Sequence, residues 1–398
     1  MIGMGASLYR SNDGRQLIEA QTVSGLKGWK RSFDRVVGYA IESNRPAPEG
    51  WIDAVSNGIT EPDFKIIPLP DTYRLSRFSN KISKVKERLL AEMRQADYCV
   101  FTYGGWLGDP GEIAASIARK NGIRHAVWLD RVESQVIRES EAIRSNFKTW
   151  IKAKLTETNE NRAVRAATLS LLHGATVYQY FEKIARNPHV VEDIHYSNGD
   201  RIGKHDLETK IKSCREDLLK IIYVGRAEPM KGGKQWLEVL SRLKGKGVEF
   251  EASWYGDGSE LSDMVATARS AGLLETEVHF AGFVADRDTI KAAYRNAHAL
   301  LFCHLTDESP RNLIESLHAA TPLIGYGDPF AQSLVGEHGG GVLVKRGQIA
   351  KLVDTISALA DNRERLADLV ERAAHSASHL THERVFDERS NVVKRELS

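Results

Sequence analysis

Cysteine is scarce in this sequence: Cys99, Cys214 and Cys303 are the only three in 398 residues. They are scattered without a C-x-x-C pair, which argues against a disulfide framework and a structural zinc site and fits a reducing compartment. A run of the ~18 apolar residues that a membrane-spanning helix needs is missing as well. The opening stretch MIGMGASLYRSNDGR has no long apolar core behind a basic start. Neither secretion nor membrane spanning is therefore expected, and a cytoplasmic protein is the reading that remains. An excess of one charge sign is also lacking. Lys and Arg number 55 against 53 Asp and Glu, a net charge of +2. That balance is too even for a general nucleic-acid binder, so any basic surface must be local.

What is present has the composition of a folded protein, with 42% hydrophobic and 27% charged residues, and the length suits two domains. From residue 34, short apolar runs alternate with longer amphipathic ones: DRVVGYAI, FKIIPL, DYCVFTYGG and IRHAVWLD read as strands, with a helix over 111–120. Residues 136–172 have a helical period and many charges, and GATVYQY after them reads as a further strand. The stretch 195–217, HYSNGDRIGKHDLETKIKSCRED, breaks the pattern and is the expected domain junction. A second, more regular series follows through LKIIYVG, FEASWYG, EVHFAGF, HALLFCH, TPLIGYG and GGVLV. Helices are expected between them at about 233–243, 259–271, 287–295 and 310–320, and the tail 347–396 is helical and charged. Such alternation implies parallel sheets covered by helices. The expectation is an α/β chain of two doubly wound domains, 1–197 and 218–380, with a linker over 198–217 and a last helix, 381–398, crossing back to the first domain. Ligands bind at the C-terminal ends of strands in such sheets, which puts a cleft between the domains.

Two stretches carry chemistry. In IIYVGRAEPMKGGKQW, Gly225 ends a strand, Arg226 follows, and Lys231 lies just before a helix that begins near Gly233. A helix N-terminus offers free amides and partial positive charge, so adding a guanidinium and an ammonium suits a diphosphate. In DESPRNLIESLHAATPLIGYG, Ser309 is placed to cap a helix with Pro310 at its first position, and Leu313, Ile314 and Leu317 form its apolar face. Asp307 then lies in the loop before the helix and Glu315 about a turn and a half into it. A carboxylate accepts two hydrogen bonds from a vicinal diol, as a ribose or hexose presents. Cations for a diphosphate and carboxylates for sugar hydroxyls together describe a nucleotide sugar. The plainer alternatives are solvated loop cations and helix-start acids, the latter worth only about 0.3 to 1 kcal/mol each.

These stretches, with WYGDGSELSDMVATARSAGL and EVHFAGFV between them, resemble in order and spacing the C-terminal domain of glycosyltransferase family 4, over roughly residues 219–345. The resemblance implies a GT-B fold of two Rossmann-like domains facing a central cleft. It also implies transfer of a hexose-type sugar from a nucleoside diphosphate, with retention of anomeric configuration and neither metal nor other cofactor. Carried over by position, Arg226 and Lys231 bind the donor diphosphate and Glu315 holds the ribose. Asp307 takes the first place of a paired-glutamate motif, a shorter acid for which Glu308 could compensate. Val284 falls where the backbone meets the nucleobase, and Gly256 and Gly258 match the glycine loop behind the phosphates. Gly225, Asn312 and Leu313 complete the donor side.

The N-terminal half resembles the family less. SNDGRQ, with Gly14, occupies the place of its glycine-rich first loop, and Asp130 of VWLDR stands where a His often follows a strand end. Capping of the next helix is the slightly better account of that aspartate from sequence alone. Gly104, Gly105 and Trp106 are candidates for the acceptor side. Residues 74–94 form a basic amphipathic stretch, with Phe78, Ile82, Val85 and Leu89 on one helical face. Family members often act on lipid-linked acceptors, so the resemblance implies a glycan or lipid-linked acceptor, peripheral contact with anionic membrane through 74–94, and a role in envelope or exopolysaccharide synthesis. Two other functions fit the same fold: a noncatalytic partner subunit, and a nucleotide-sugar epimerase that needs no acceptor.

Overall fold

The computed structural model describes residues 1–73, 82–104, 108–139, 147–307 and 309–398, and the chain forms two compact units. The first comprises Met1–His195 together with His382–Ser398, the second Tyr196–Thr381.

The strands of the first unit are β1 Ile2–Gly3, β2 Tyr9–Arg10, β3 Gln16–Glu19, β4 Val36–Ile41, β5 Trp51–Asp53, β6 Phe64–Leu69, β7 Val100–Thr102, β8 Ala126–Leu129, β9 Leu169–His173 and β10 Pro188–Val191. Seven of them build a parallel sheet in the order β10-β9-β8-β7-β1-β4-β6, while β2, β3 and β5 form a small antiparallel sheet. Strands covered on both faces need no polar alternation, and β8 and β9 are buried at every position. That is why β9 hides inside the helical-looking run 136–172. The run is in fact a helix Glu133–Glu139, a helix Phe147–Ala166 and then β9. GATVYQY, read above as a strand, is the helix Gly174–Phe181. Its buried residues Gly174, Val177 and Phe181 recur at helical spacing, a period too short to detect in seven residues.

In the helix Ile82–Met93, Val85, Leu89 and Met93 are buried in the core. The apolar side of this part of 74–94 therefore faces inward, and Phe78 lies outside the described residues. The terminal helix His382–Leu397 packs on the first unit, burying Val385, Phe386, Arg389, Val393 and Leu397. Gly28 allows the approach, because a Cβ there would stand 2.7 Å from the Phe386 ring.

The second unit holds β11 Leu219–Val224, β12 Phe250–Tyr255, β13 Val278–Gly282, β14 Ala299–Phe302, β15 Leu323–Tyr326 and β16 Gly341–Val344. All pair in parallel, in the order β13-β12-β11-β14-β15-β16. The stretch 198–217, expected to be a linker, belongs to this unit. It forms a short turn of helix at Asn198–Asp200 and the helix Lys204–Glu216, which buries Lys210 and Cys214. The Lys210 ammonium donates to Tyr294 O at 3.0 Å, Ala319 O at 2.8 Å and Thr321 Oγ1 at 2.5 Å. Its charges misled the sequence reading because one of them sits inside. Among the described residues, no helix is long and apolar enough to cross a membrane.

Candidate functional site

The second sheet reverses its winding between β11 and β14. From β11 the chain moves outward through β12 and β13, then returns to the other side for β14, β15 and β16. Such a reversal leaves a crevice at the C-terminal strand ends, where no helix covers the edge. Arg226, Lys231, Gly256, Gly258, Val284 and Asp307 all lie in loops that leave this edge.

Backbone bonds stitch these loops together. Gly225 N donates to Tyr255 O at 2.8 Å, Ala227 N to Asp257 O at 2.9 Å, and Gly256 N to Gly282 O at 2.7 Å. Leu305 N donates to Met230 O at 2.8 Å, fixing the loop after β14 against the turn that carries Lys231. Two glycines make the packing feasible. Gly256 has φ 140°, and a Cβ would come within 2.0 Å of Gly225 O; Gly232 has φ 69°, and a Cβ would come within 2.0 Å of Cys303 O. No side chain fits either place.

On this frame Arg226 is exposed and makes no ion pair among the described residues, whereas Lys231 is buried in the turn Pro229–Lys231. The helix Gly233–Gly245 starts two residues after Lys231, so its free N-terminal amides directly follow the turn that carries this lysine. Beneath, His304 Nε2 and Tyr223 Oη are hydrogen-bonded at 2.9 Å. Burial, with Lys231 and Arg346 nearby, pushes the His304 imidazole well below its usual range, so it stays neutral. A neutral support avoids adding a third cation under the loop.

The acidic side comes from the helix Arg311–His318, whose first residue follows Pro310 rather than Ser309 as the cap. Leu313, Ile314 and Leu317 are its buried face, and Leu313 thus serves the core. Asn312 Nδ2 donates to Val224 O at 2.6 Å, pinning the helix start to the end of β11. Glu315 is half-buried, and its carboxylate makes no hydrogen bond among the described residues. Burial raises its carboxyl above the ordinary value, while Arg311, Arg287 and Lys291 pull it back. Asp307 is instead ion-paired with Arg346, from the loop after β16. Glu308 lies outside the described residues. Sequence reasoning missed Arg346, His304 and the Arg287–Lys291 pair. Arg346 follows a strand end on the same sheet edge, and only the strand order brings it to Asp307.

In the first unit, a cavity of about 400 Å³ opens at the C-terminal edge of the sheet, lined by the loop Gly3–Ser7 and by Tyr39, Tyr73, Gly104, Asp109 and Asp130. This edge also has a reversal, between β1 and β7. Asp130 and Gly104 are thus brought together, while Gly105 and Trp106 lie outside the described residues. Gly14 is a correction. It sits in the turn between β2 and β3, where its amide donates to Ser11 O at 2.9 Å, and the cavity is lined by Gly3 and Gly5 instead. The opening letters IGMGAS, a short strand running into glycine, were the available signal. Asp109 caps the helix Pro110–Lys120 through Glu112 N at 2.9 Å and accepts from Tyr73 Oη at 3.3 Å. Burial raises its carboxyl to about 6.

Residues 206–376 match the family model of glycosyl transferases group 1. A 2-deoxystreptamine glucosyltransferase of Streptomyces kanamyceticus is 30% identical over 140 residues, 35% of this chain and 36% of the relative. The chain thus matches about a third of the length of that curated relative. Among solved structures, HepE of Anabaena in complex with UDP has a TM-score of 0.68 at 14% identity, covering 99% of both chains. Sucrose-phosphate synthase from Thermosynechococcus elongatus has a TM-score of 0.71 at 13% identity, covering 99% of this chain and 98% of that one. The fold is that of the GT-B glycosyltransferases: α/β, with parallel sheets in two Rossmann-like domains.

Proposed function

We propose that the protein is a glycosyltransferase of family 4 type, moving a hexose-type sugar from a nucleoside diphosphate to a glycan or lipid-linked acceptor with retention. The observation that carries this reading is the second unit's strand edge, where Arg226 and Lys231 flank a helix start and Glu315 keeps its carboxylate free of hydrogen bonds among the described residues. The family match covers this region, and the Anabaena relative of the same fold holds UDP, which favours uridine as the base.

In this reading Arg226, Lys231 and the amides of the helix Gly233–Gly245 bind the diphosphate, Glu315 accepts from the ribose hydroxyls, and Gly256 and Gly258 let backbone come close to the phosphates. Val284 offers its backbone to the base. Asp307, oriented by Arg346, accepts from a hydroxyl of the transferred sugar. The acceptor lies on the first unit, at the cavity lined by Gly104 and Asp130.

The bond from the anomeric carbon to the leaving phosphate oxygen breaks with its electron pair going to that oxygen. The acceptor oxygen bonds to the same face of the carbon, and its proton passes to the leaving phosphate. Negative charge grows on the phosphate as the bond lengthens. Fixed cations gain most at the transition state, without need of a metal.

Thermal unfolding of the purified chain with UDP, GDP, ADP or dTDP, each with and without magnesium, tests the donor site. One nucleotide is expected to stabilise by about 2.7 kcal/mol at a hundredfold excess over Kd. The shift should be independent of metal and lost in Glu315→Ala. Stabilisation by none of the four would remove the reading. Stabilisation without hydrolysis or transfer would assign the chain to a noncatalytic partner, for which the shorter acid at 307 is the motive.

A further inference from the structure

The helix Phe147–Ala166 carries its largest apolar side chains on the wrong side for a core element. Its inward face is small and polar: Ala153, Thr156, Glu160, Ala163 and Val164 are the buried positions. Phe147, Trp150, Ile151 and Leu155 point the other way, with 73%, 50%, 38% and 50% of their surfaces exposed. Their spacing places them along one stripe of the helix, and the Phe147 and Trp150 rings stack at 5.8 Å. Continued toward the C-terminus, the same stripe reaches Arg162 and Arg165.

Those two arginines meet Arg119, from the end of the helix Pro110–Lys120, around a shallow depression floored by Thr158 and Asn161. None of the three arginines makes an ion pair among the described residues. Half-buried Glu112 feels the charges of Arg119 and Arg162, yet burial still raises its carboxyl above the ordinary value. Glu157 is already engaged by Arg138 at 2.5 Å and Lys154 at 3.1 Å. Along the helix, five cations (Lys148, Lys152, Lys154, Arg162 and Arg165) stand against Glu157 and the inward Glu160.

We propose that this outward face docks on an anionic lipid surface, with Phe147, Trp150, Ile151 and Leu155 entering the acyl boundary and Arg119, Arg162 and Arg165 holding headgroup phosphates. Four apolar side chains make too small a patch for a stable protein interface, which needs about 800 Å² on each partner. An apolar stripe continued by uncompensated cations is what an interfacial helix presents to anionic lipid. The surface is distinct from 74–94, where Val85 and Leu89 are turned into the core. The proposal stands on its own and does not depend on the transferase reading.

The test is co-sedimentation of the full chain with vesicles of phosphatidylcholine alone and with about one third phosphatidylglycerol. Wild type should bind the anionic vesicles, less so at high salt. Trp150→Ala combined with Ile151→Ser should weaken binding about tenfold. Arg162→Gln combined with Arg165→Gln should remove the preference for anionic lipid. All substituted side chains lie on the outward face, so unchanged thermal unfolding confirms that the variants are folded. Binding that neither pair affects, or no binding at all, would overturn the proposal. So would a dimer in sedimentation velocity that Trp150→Ala with Ile151→Ser dissociates, since the face would then belong to a second copy. Glycerol phosphate stabilising wild type but not the arginine variant, without vesicle binding, would assign the arginines to a soluble phosphate.

Discussion

Arg226 and Lys231 differ in setting although they are proposed to act on one group. Arg226 is exposed at a strand end, and Lys231 is buried in a turn anchored by Leu305 N on Met230 O. A buried ammonium held by the loop changes little between free and bound states, which is the condition for a preorganised partner of developing charge. Lys231→Ala and Arg226→Ala are each expected to lower turnover by about 100-fold, the scale of losing one such partner. Steady-state rates with a saturating donor decide it: near-normal turnover in both variants would clear the two residues of that role. At this scale the sequence placed Arg226, Lys231 and Asp307 in the segments after regular strands, and the structure keeps all three at one edge of the second sheet. Arg346 escaped the sequence reading. The residue lies 39 positions from Asp307, and nothing local to either one announces the pair.

Among the elements, the second unit was legible from alternation because its strands and helices follow one another at even intervals. The region 133–181 was not, since β9 is buried on both faces and sits between two helices. Its packing rests in part on Glu160. The carboxylate of this buried residue accepts from Ser134 N at 3.2 Å at the start of the helix Glu133–Glu139. Burial raises its carboxyl to about 7 from an ordinary 4.5. The sign follows from proton counts. Between pH 4.5 and 7 the folded state holds a proton that the unfolded chain has lost, so this group's contribution falls as pH rises and is lost above about 7. Glu160→Gln keeps an acceptor and cannot ionise. Urea unfolding should find the variant more stable than wild type at pH 8, by about 1 to 3 kcal/mol, and nearly equal near pH 5. An equal difference at both pH values would mean that the carboxyl does not titrate there.

For the whole molecule the telling feature is the return of the chain end to the first unit. The final helix brings Arg389 into the core, where its guanidinium lies 3.9 Å from the Trp128 ring centroid and 4.8 Å from that of Phe386, and bonds Glu192 O. A cation in such a place loses hydration, and burial lowers its pKa, with Asp193 and Asp130 opposing. Stacking on two rings returns about 2 kcal/mol when desolvated, and a charge-assisted hydrogen bond about 1.5 to 3. These terms roughly offset the desolvation, so the larger part of the residue's value is the volume it fills. Arg389→Ala should therefore destabilise by about 3 kcal/mol, whereas Arg389→Met, which retains most of the volume, should cost under about 1.5. Urea unfolding gives the magnitudes and hydrogen exchange gives the place. In Arg389→Ala, protection should fall at Ala126–Leu129 and Leu169–His173, the strands of the unit that the helix packs on, with Leu219–Val224 unaffected. Loss of protection at Leu219–Val224 with the first-unit strands unchanged would show that the terminal helix supports the other unit. A Met variant as unstable as the Ala variant would show that the charge outweighs the volume.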